Sequence, residues 1–342
     1  MKIITVIIPC FNEQDVLPIF YQKMNLIMKQ VKRVVVELIF VDDGSTDSTL
    51  QILKDLSKQD LRCKYISFSR NFGKEAAIYA GLKESQGDYV AIMDADLQDP
   101  PEYLPQMYQI LESEEYDCVG TRRANRKGEK RIRSFLSSSF YKVINKISKT
   151  GIVEGARDYR MMTRKMVDAL LQLGECNRFS KGMFSWVGFR TKWLEYENVK
   201  RAAGETKWSM RKLFKYSLDG IMGFSTMPLS IASYGGILFC LISFFCIAIL
   251  VVKNIFWHDP VAGWPALMCV ILFLGGVQLL CMGILGQYLA RTYIEVKNRP
   301  VYLIKEVSDE TIKEKKLILH EPDDSTNSDY HVQNIRRIYS RV

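Results

Sequence analysis

The sequence predicts an α/β protein with a mostly parallel sheet covered by helices, followed by two apolar helices near the carboxyl terminus. Three observations lead to this prediction. Strand-like apolar runs alternate with helical patterns over the first 120 residues, which is typical of a parallel sheet with helices on both faces. Polar clusters follow the predicted strands. Two uncharged stretches, 229–252 and 260–290, are long enough for membrane-spanning helices, and the second span is predicted at 266–290.

The chain begins with a predicted strand rather than a signal peptide. The apolar run at 2–8 is short, has no small-residue cleavage site and meets Glu13 and Asp15 almost at once. We therefore expect the amino-terminal region to stay in the cytoplasm. The next predicted strands are 34–41, 64–68, 88–94 and 116–120, and the predicted helices are 13–30, 47–58, 73–85 and 101–113.

The composition of the 342-residue chain indicates the kind of partner it binds and excludes some catalytic mechanisms. A net charge of +9 indicates an anionic partner, which is a nucleic acid, an anionic membrane surface or a phosphorylated substrate. The three histidines, His258, His320 and His331, all lie late in the chain. Histidine-dependent mechanisms are therefore excluded from the amino-terminal two-thirds. The eight cysteines form no C-x-x-C pair, so we expect them to be reduced.

Polar clusters stand where four predicted strands end. They are "PCFNE" (9–13), "VDDGSTDST" (41–49), "SRNFGKE" (69–75) and "DADLQDP" (94–100). Ligands bind at the carboxyl ends of the strands in open parallel sheets, so these clusters predict an oxygen-rich, acidic site. The chain has no G-x-G-x-x-G after a strand and no G-x-x-x-x-G-K-[ST] loop. These absences argue against a dehydrogenase-type dinucleotide site and against a P-loop site.

The fourth cluster indicates a metal site. If the strand continues far enough, Asp94 and Asp96 point to the same side, because alternate residues of a strand share a face. Two close carboxylates favour a cation between them, and hard oxygen ligands favour Mg²⁺ or Mn²⁺. Mg²⁺ usually takes few protein ligands and completes its shell with phosphates, which implies a nucleotide diphosphate. The alternative is a solvated acidic turn, in which Asp99 and Pro100 start a helix.

Together, "VIIPCFNEQDVLP", "VDDGSTDST", "SRNFGKEAAIYAGL" and "DADLQDPPE" resemble glycosyltransferase family 2. The closer resemblance is to the polyprenyl-phosphate glycosyltransferases, which include dolichol-phosphate mannose synthases and bactoprenol glucosyltransferases. It extends over about residues 1–295 and includes "RAAGETKWSMRKLFKYSLDGI". The resemblance implies a GT-A-type, Rossmann-like fold, a UDP- or GDP-sugar donor and a polyprenyl-phosphate acceptor.

The resemblance also implies roles for individual residues. The residues that it implies for binding the nucleotide sugar are Pro9, Phe11, Asn12, Glu13, Asp42, Asp43, Lys74 and Asp94. Those implied for binding the metal and the donor diphosphate are Asp94, Asp96 and Gln98. Those implied for binding the acceptor or donor phosphates are Arg122, Arg131, Arg201 and Lys207, with Arg133 as an alternative to Arg131. "GARDYRMM" matches the segment with the family's catalytic aspartate, here Asp158. Three roles stay open for Asp158: a base, a group that orients the acceptor or an arginine, or a structural partner of Arg157 or Arg160.

The membrane topology follows from the distribution of charge. Basic residues precede the first uncharged stretch and follow the second, whereas the connector between them holds one lysine. The positive-inside rule then places both large ends of the chain in the cytoplasm. We expect a catalytic domain (1–205), a juxtamembrane amphipathic segment (206–228), a two-helix hairpin (229–290) and a cytoplasmic tail (291–342). A second amphipathic pattern, at 130–148, suits either an interfacial helix or a core-facing one.

These observations predict an integral enzyme of the cytoplasmic membrane that moves one sugar from a UDP-sugar to undecaprenyl phosphate with inversion. We expect Mg²⁺ or Mn²⁺ as cofactor, the bilayer as partner and no nucleic acid. A flippase and a surface glycosyltransferase would act on the product, and a homo-oligomer stays open. The rival interpretations are a processive polysaccharide synthase, a non-catalytic nucleotide-sugar-binding scaffold and a nucleotidyltransferase. The sequence shows neither the Q-x-x-R-W motif nor the additional spans of a processive synthase.

Overall fold

The computed structural model describes residues 2–31, 34–123, 145, 151–196, 220–256 and 264–308. In chain order the strands are β1 (Lys2–Cys10), β2 (Val34–Asp42), β3 (Cys63–Phe68), β4 (Tyr89–Ile92), β5 (Cys118–Arg123), β6 (Ala156–Thr163), β7 (Thr191–Tyr196) and β8 (Ile304–Val307). The helices are α1 (Leu17–Met28), α2 (Thr49–Gln59), α3 (Lys74–Glu84), α4 (Leu104–Glu112), α5 (Arg164–Leu171), α6 (Ser180–Trp186), α7 (Met227–Phe256) and α8 (Trp264–Val296).

The eight strands form one sheet in the order β7-β5-β6-β4-β1-β2-β3-β8. Strands β3, β2, β1 and β4 are parallel neighbours, which confirms the predicted α/β architecture. The sheet is mixed but mostly parallel, as predicted, because four of its seven described strand pairs are parallel. Strand β6 runs antiparallel between β4 and β5, and β8 runs antiparallel to β3 at the edge. The sequence patterns predicted neither of these two strands, nor β7.

Helices cover both faces of the sheet, as alternate side chains of β1 illustrate. Ile4 and Ile8 belong to a core that includes Phe20 of α1, whereas Ile7 belongs to a second core that includes Ala77 of α3. Each of these β1 side chains is fully buried, and such burial stabilises the fold by roughly 1.5–3 kcal/mol per side chain. The β1–β4 half of the sheet is thereby rigidly held, and its carboxyl ends are available for function.

Strand β8 returns the chain to the sheet after the second long helix. The backbone N–H of Ser69 donates to the carbonyl of Leu303 at 3.0 Å, and that of Ser308 donates to Tyr65 at 3.0 Å. The ring of Tyr302 stacks on Phe68 with centroids 4.9 Å apart. Residues 304–307, which we expected in a polar tail, therefore form the edge of the sheet. The remainder of the predicted tail, 309–342, lies outside the described residues.

The two predicted spans fall within α7 and α8, which contain 30 and 33 residues. Among the described residues, Phe273–Val296 is the one helical segment long and apolar enough to cross a membrane, with a mean hydropathy of 1.5. Met227–Phe239 is a shorter apolar segment. The prediction of two spans is thus not confirmed and stays a prediction. Of the predicted amphipathic segments, 130–148 lies outside the described residues except for residue 145, and 206–228 lies outside them up to residue 219.

Candidate active site

The predicted polar clusters meet at one edge of the sheet. Strand β1 is flanked by β2 on one side and β4 on the other, so the strand order reverses beside it. Such a switch point opens a crevice at the carboxyl ends of the strands. The clusters 9–13, 41–49, 69–75 and 94–100 follow β1, β2, β3 and β4 at this crevice.

Hydrogen bonds join the loop after β1 to the loop after β2. Asn12 adopts a left-handed backbone conformation, with φ 53°, which Asn tolerates better than most residues. Its side-chain oxygen accepts the N–H of Thr46 at 2.9 Å, and its own N–H donates to the hydroxyl of Ser45 at 2.9 Å. The N–H of Glu13 donates to the hydroxyl of Thr49 at 2.8 Å. Two clusters that are far apart in sequence are thus fixed together.

Pro9 and Phe11, two further residues of the first predicted cluster, lie close to this junction. Pro9 lies in β1 beside Val41, and half-buried Phe11 follows β1.

Asp42 ends β2 and is almost fully buried. One carboxylate oxygen accepts the Ser67 hydroxyl at 2.7 Å, and the other accepts the N–H of Ser45 at 3.0 Å. Asp42 therefore connects the loop after β2 to strand β3. The orientation of this carboxylate at the crevice is thereby fixed.

Asp43 holds the loop that leads into α3. Its carboxylate accepts the backbone N–H groups of Phe72 at 2.6 Å and Gly73 at 2.9 Å. Burial raises the pKa of Asp43 to about 6, although these two N–H groups oppose the increase. Gly44 follows with φ +67°, and a Cβ there would come within 2.4 Å of the Arg70 carbonyl carbon. The glycine of "VDDG" thus permits close contact between the β2 and β3 loops.

Three charged side chains meet at the end of β4. Ile92 of β4 pairs with Arg160 of antiparallel β6, and the same register, continued by two residues, sets Asp158 opposite Asp94. The ammonium of Lys74, the first residue of α3, lies 2.7 Å from Asp94 Oδ1 and 2.5 Å from Asp158 Oδ2. Asp158 thus contacts Lys74 rather than either arginine considered from the sequence.

The local charges determine the protonation of this trio. Burial acts to raise the pKa of Asp158, but Lys74 and Lys181 outweigh it and hold that pKa well below its usual range. Burial raises the pKa of Asp94, and Lys74 opposes this increase. Burial would lower the pKa of Lys74, but Asp158 and Asp94 raise it. Lys74 and Asp158 are therefore both charged at neutral pH.

The predicted metal ligands lie in a tight turn. Strand β4 ends at Ile92, so strand alternation does not by itself orient Asp94 and Asp96. Leu97 has φ 56°, a conformation that costs of order 1–3 kcal/mol for such a residue, and the Gln98 N–H donates to Asp96 Oδ1 at 3.1 Å. Among the described residues, no three His, Cys, Asp or Glu side chains are grouped so as to hold a metal by themselves.

Asp99 belongs to a second, structural network. It is fully buried, accepts the Arg157 Nε–H at 2.9 Å and also accepts the Tyr196 hydroxyl. Asp99 raises the pKa of Arg157 against the opposing effect of burial. This network connects the "DADLQD" turn to the residue before Asp158. The sequence reasoning missed it, because the Arg157–Asp99 pair arises only once β6 lies beside β4.

The predicted phosphate-binding residues are described only in part. Arg122, at the end of β5, donates to Glu195 of β7, and its side chain is 41% exposed. That exposure leaves the guanidinium within reach of a ligand. Arg131, Arg133, Arg201 and Lys207 lie outside the described residues.

Comparisons with known proteins identify the family. Residues 5–171 match the family model described as Glycosyl transferase family 2. The putative glycosyltransferase CsbB of Bacillus subtilis (strain 168) is 46% identical over 90% of this chain and 92% of its own length. The chain belongs to glycosyltransferase family 2. This confirms the predicted family and the prediction of a glycosyltransferase enzyme.

Other relatives whose names state an activity are also similar. The SfII prophage-derived bactoprenol glucosyl transferase of Shigella flexneri is 41% identical over 88% of this chain and 97% of its own length. The prophage bactoprenol glucosyl transferase homolog of Escherichia coli (strain K12) is 40% identical over 89% and 99%. A solved structure of glucosyl-3-phosphoglycerate synthase from Mycobacterium tuberculosis with Mn²⁺ and UDP-glucose covers 65% of this chain and 77% of that one, at 20% identity and a TM-score of 0.44. A likeness at that level carries no argument about ligands.

Proposed function

We propose that this family 2 enzyme transfers one sugar from a UDP-sugar to undecaprenyl phosphate at the cytoplasmic face of the membrane. The Asp94–Lys74–Asp158 arrangement at the sheet crevice carries the proposal. Relatives named as bactoprenol glucosyl transferases, about 41% identical over most of the chain, support the lipid acceptor. UDP-glucose and UDP-N-acetylglucosamine are the first donors to test.

We further propose that a divalent cation binds at the "DADLQD" turn. Asp94, Asp96 and Gln98 supply only hard oxygen ligands, which suits Mg²⁺ or Mn²⁺. The described residues contain no cluster of three acidic groups. A cation held by one or two carboxylates and completed by substrate phosphates fits that arrangement. When bound, the cation would stabilise the charge of the departing nucleoside diphosphate.

The acceptor provides its own nucleophile. A phosphate monoester has a second pKa near 6 and is largely ionised at pH 7. Its oxygen would attack the anomeric carbon while the bond to the nucleotide phosphate breaks, with inversion. Asp158, whose pKa lies well below its usual range, is a weak base. We therefore assign it to holding Lys74 and ordering the site rather than to removing a proton.

The amphipathic and apolar segments would place this chemistry at the membrane. We propose domain boundaries at 1–205, 206–228, 229–290 and 291–342, with α7 and α8 as a membrane hairpin and both termini in the cytoplasm. The lengths of α7 and α8 and the apolar segment Phe273–Val296 support this arrangement. The glycolipid product would be moved outward by a flippase and used by a surface glycosyltransferase.

The test is a reaction of the detergent-purified protein with undecaprenyl phosphate, Mg²⁺ or Mn²⁺ and a panel of nucleotide sugars. We expect one lipid-phosphate-sugar product by mass spectrometry, and its loss in Asp96→Ala. A long polymer would support the processive synthase, and transfer of the nucleotide would support a nucleotidyltransferase. Binding of UDP by folded protein without turnover of any donor would support a non-catalytic scaffold.

A further inference from the structure

Helix α6 packs directly over the strand that carries Asp158. The guanidinium carbon of Arg160 lies 3.7 Å from the centre of the Phe184 ring. On β6, Asp158 shares a face with Arg160, because residues two apart point to the same side of a strand. On α6, Lys181 is one turn before Phe184 and lies on the same side, because residues three apart are neighbours on a helix. Lys181 thus faces β6, one turn of α6 away from the Phe184–Arg160 contact.

A second contact shows on which side of Arg160 the Lys181 side chain lies. The backbone N–H of Ser180 donates to Glu75 Oε2 at 3.0 Å, and the Ser180 hydroxyl donates to the same oxygen. Glu75 follows Lys74, whose ammonium is 2.5 Å from Asp158. The start of α6 therefore lies next to the Lys74–Asp158 pair. Because Lys181 is near the start of α6, it lies on the Asp158 side of Arg160.

The charge of Lys181 is available, unlike that of Lys74. Lys74 is neutralised by its contacts with Asp94 and Asp158. Lys181 is half-buried, and none of the ion pairs among the described residues includes it. Its effect on the pKa of Asp158 is consistent with an ammonium close to the crevice. A partly desolvated cation in this position favours an anionic ligand.

We propose that Lys181 binds a phosphate group of a substrate beside Asp158. The proposal rests on the proposed function and adds to it a residue that neither the sequence patterns nor the family resemblance had indicated. The phosphate is either the monophosphate of the lipid acceptor or the diphosphate of the nucleotide sugar. Both are dianionic or nearly so, and an ammonium on a flexible side chain contacts either as a point charge.

The experiment compares Lys181→Gln and Lys181→Arg with Lys58→Gln, which changes an exposed lysine on α2. In the full-length protein, calorimetry measures the Kd for UDP and the Kd for undecaprenyl phosphate, and steady-state kinetics adds KM and kcat for the lipid where the protein is active. If Lys181 binds the acceptor, Lys181→Gln raises the Kd and KM for undecaprenyl phosphate at least tenfold and leaves the Kd for UDP unchanged. If it binds the donor, the Kd for UDP rises at least tenfold instead. Lys181→Arg restores most of the loss, and Lys58→Gln has no effect.

Two results would overturn the proposal. One is an unchanged KM and Kd in Lys181→Gln. The other is an equal loss in Lys181→Gln and Lys181→Arg accompanied by a lower melting temperature, which would mean a packing role. The outcome does not depend on turnover, because binding of UDP and of undecaprenyl phosphate can be measured directly in protein that shows no activity with any donor. Failure of the proposed function is thereby distinguished from failure of the Lys181 assignment.

Discussion

Lys74 holds two carboxylates together at the end of β4. Asp94, just past β4, and Asp158, on β6, lie opposite each other, and each keeps only about a fifth of its side chain exposed, at 23% and 21%. Without the ammonium, burial and mutual repulsion would favour a proton on one of them. Lys74 therefore sets both the geometry of the site and its charge at neutral pH.

We expect Lys74→Met to lower the free energy of unfolding at pH 7.5 by roughly 2–3 kcal/mol. That is less than the 3–5 kcal/mol of a fully buried pair, because all three side chains keep some solvent contact. In the variant, the folded-state pKa of Asp158 rises above its unfolded value, so the folded state binds more protons as the pH falls. The stability deficit should therefore shrink between pH 7.5 and about 5.

Thermal unfolding at a series of pH values measures this deficit. Lys83→Met, which changes an exposed lysine on the same helix, is the matched control and should show little change at any pH. A deficit in Lys74→Met that stays constant with pH would contradict the assignment of charge to Asp158.

Asp96 and Asp99 are close in sequence but have different surroundings, so their variants should separate metal binding from structure. Asp99→Asn removes a fully buried carboxylate and leaves the half-buried Arg157 without its partner, so we expect a loss of about 3–5 kcal/mol in stability. Tyr196→Phe removes one hydrogen bond to Asp99 and should cost about 1 kcal/mol. Neither change should alter the Mn²⁺ concentration that gives half-maximal activity.

Asp96→Asn should raise the Mn²⁺ concentration that gives half-maximal activity strongly and affect stability little. The reverse pattern would mean that Asp99 binds the metal and that Asp96 has the structural role.

At the scale of elements, the parallel half of the sheet was predictable and the antiparallel additions were not. Strands β1 to β4 are rich in β-branched and aromatic residues and alternate with helices, so their pattern predicts their type and nearly their bounds. Strand β6, "ARDYRMMT", carries two arginines and an aspartate within the sheet. Its charges are tolerated because Arg157 pairs with Asp99 and Arg160 stacks on Phe184. Those compensations are tertiary and leave no local signal.

The candidate site was also predictable only in part, because some of its residues depend on how β6 and α6 pack. Four loop clusters follow strands of the parallel half, so the rule about the carboxyl ends of strands was enough to predict that they lie together. Asp158 came from family resemblance alone, because its position opposite Asp94 depends on the register of β6. Lys181 had no signal in the sequence, since its place depends on how α6 packs on that strand.

Strand β8 shows how a distant segment supports the crevice at the carboxyl ends of the strands. It extends the sheet beyond β3, and Ser67 of β3 in turn holds Asp42 at 2.7 Å. Tyr302, just before β8, stacks on Phe68 and meets the ring of Tyr79 at 6.2 Å. The anchoring of β8 is thus connected through one strand to a predicted nucleotide-binding carboxylate.

We expect Tyr302→Ala to lower stability by about 2–4 kcal/mol, because it deletes a stacked aromatic ring from a packed edge. The affinity for UDP should fall by a smaller factor, since Ser67 and Asp42 keep their hydrogen bond but lose support at the sheet edge. Thermal unfolding and calorimetry with UDP measure the two effects. Tyr293→Ala, which removes an exposed tyrosine of α8, serves as the control. Equal melting temperatures for the two variants would argue against a supporting role for β8.

For the whole molecule, the contacts of α7 and α8 fix where the two helices are attached to the sheet domain. Phe224, just before α7, packs on Phe179 with ring centroids 5.9 Å apart. Near the end of α8, Glu295 accepts the backbone N–H groups of Cys176 at 3.0 Å and Asn177 at 3.2 Å. The start of α7 and the end of α8 are therefore both attached to the same sheet domain. If the helices cross a bilayer, they must cross it as a hairpin, out and back.

This topology predicts opposite accessibility for two engineered cysteines in a background without the native ones. Asp259→Cys, in the connector between α7 and α8, should react in intact cells with a maleimide that cannot cross membranes. Lys58→Cys, on an exposed position of α2, should react only after the cells are opened. The expectation follows from the shared attachment of both helix ends and from the basic residues around 201–215 and 291–299. Reaction of neither cysteine in intact cells, with reaction of both in opened cells, would show that α7 and α8 do not cross the membrane. Reaction of Lys58→Cys in intact cells would place the catalytic domain outside.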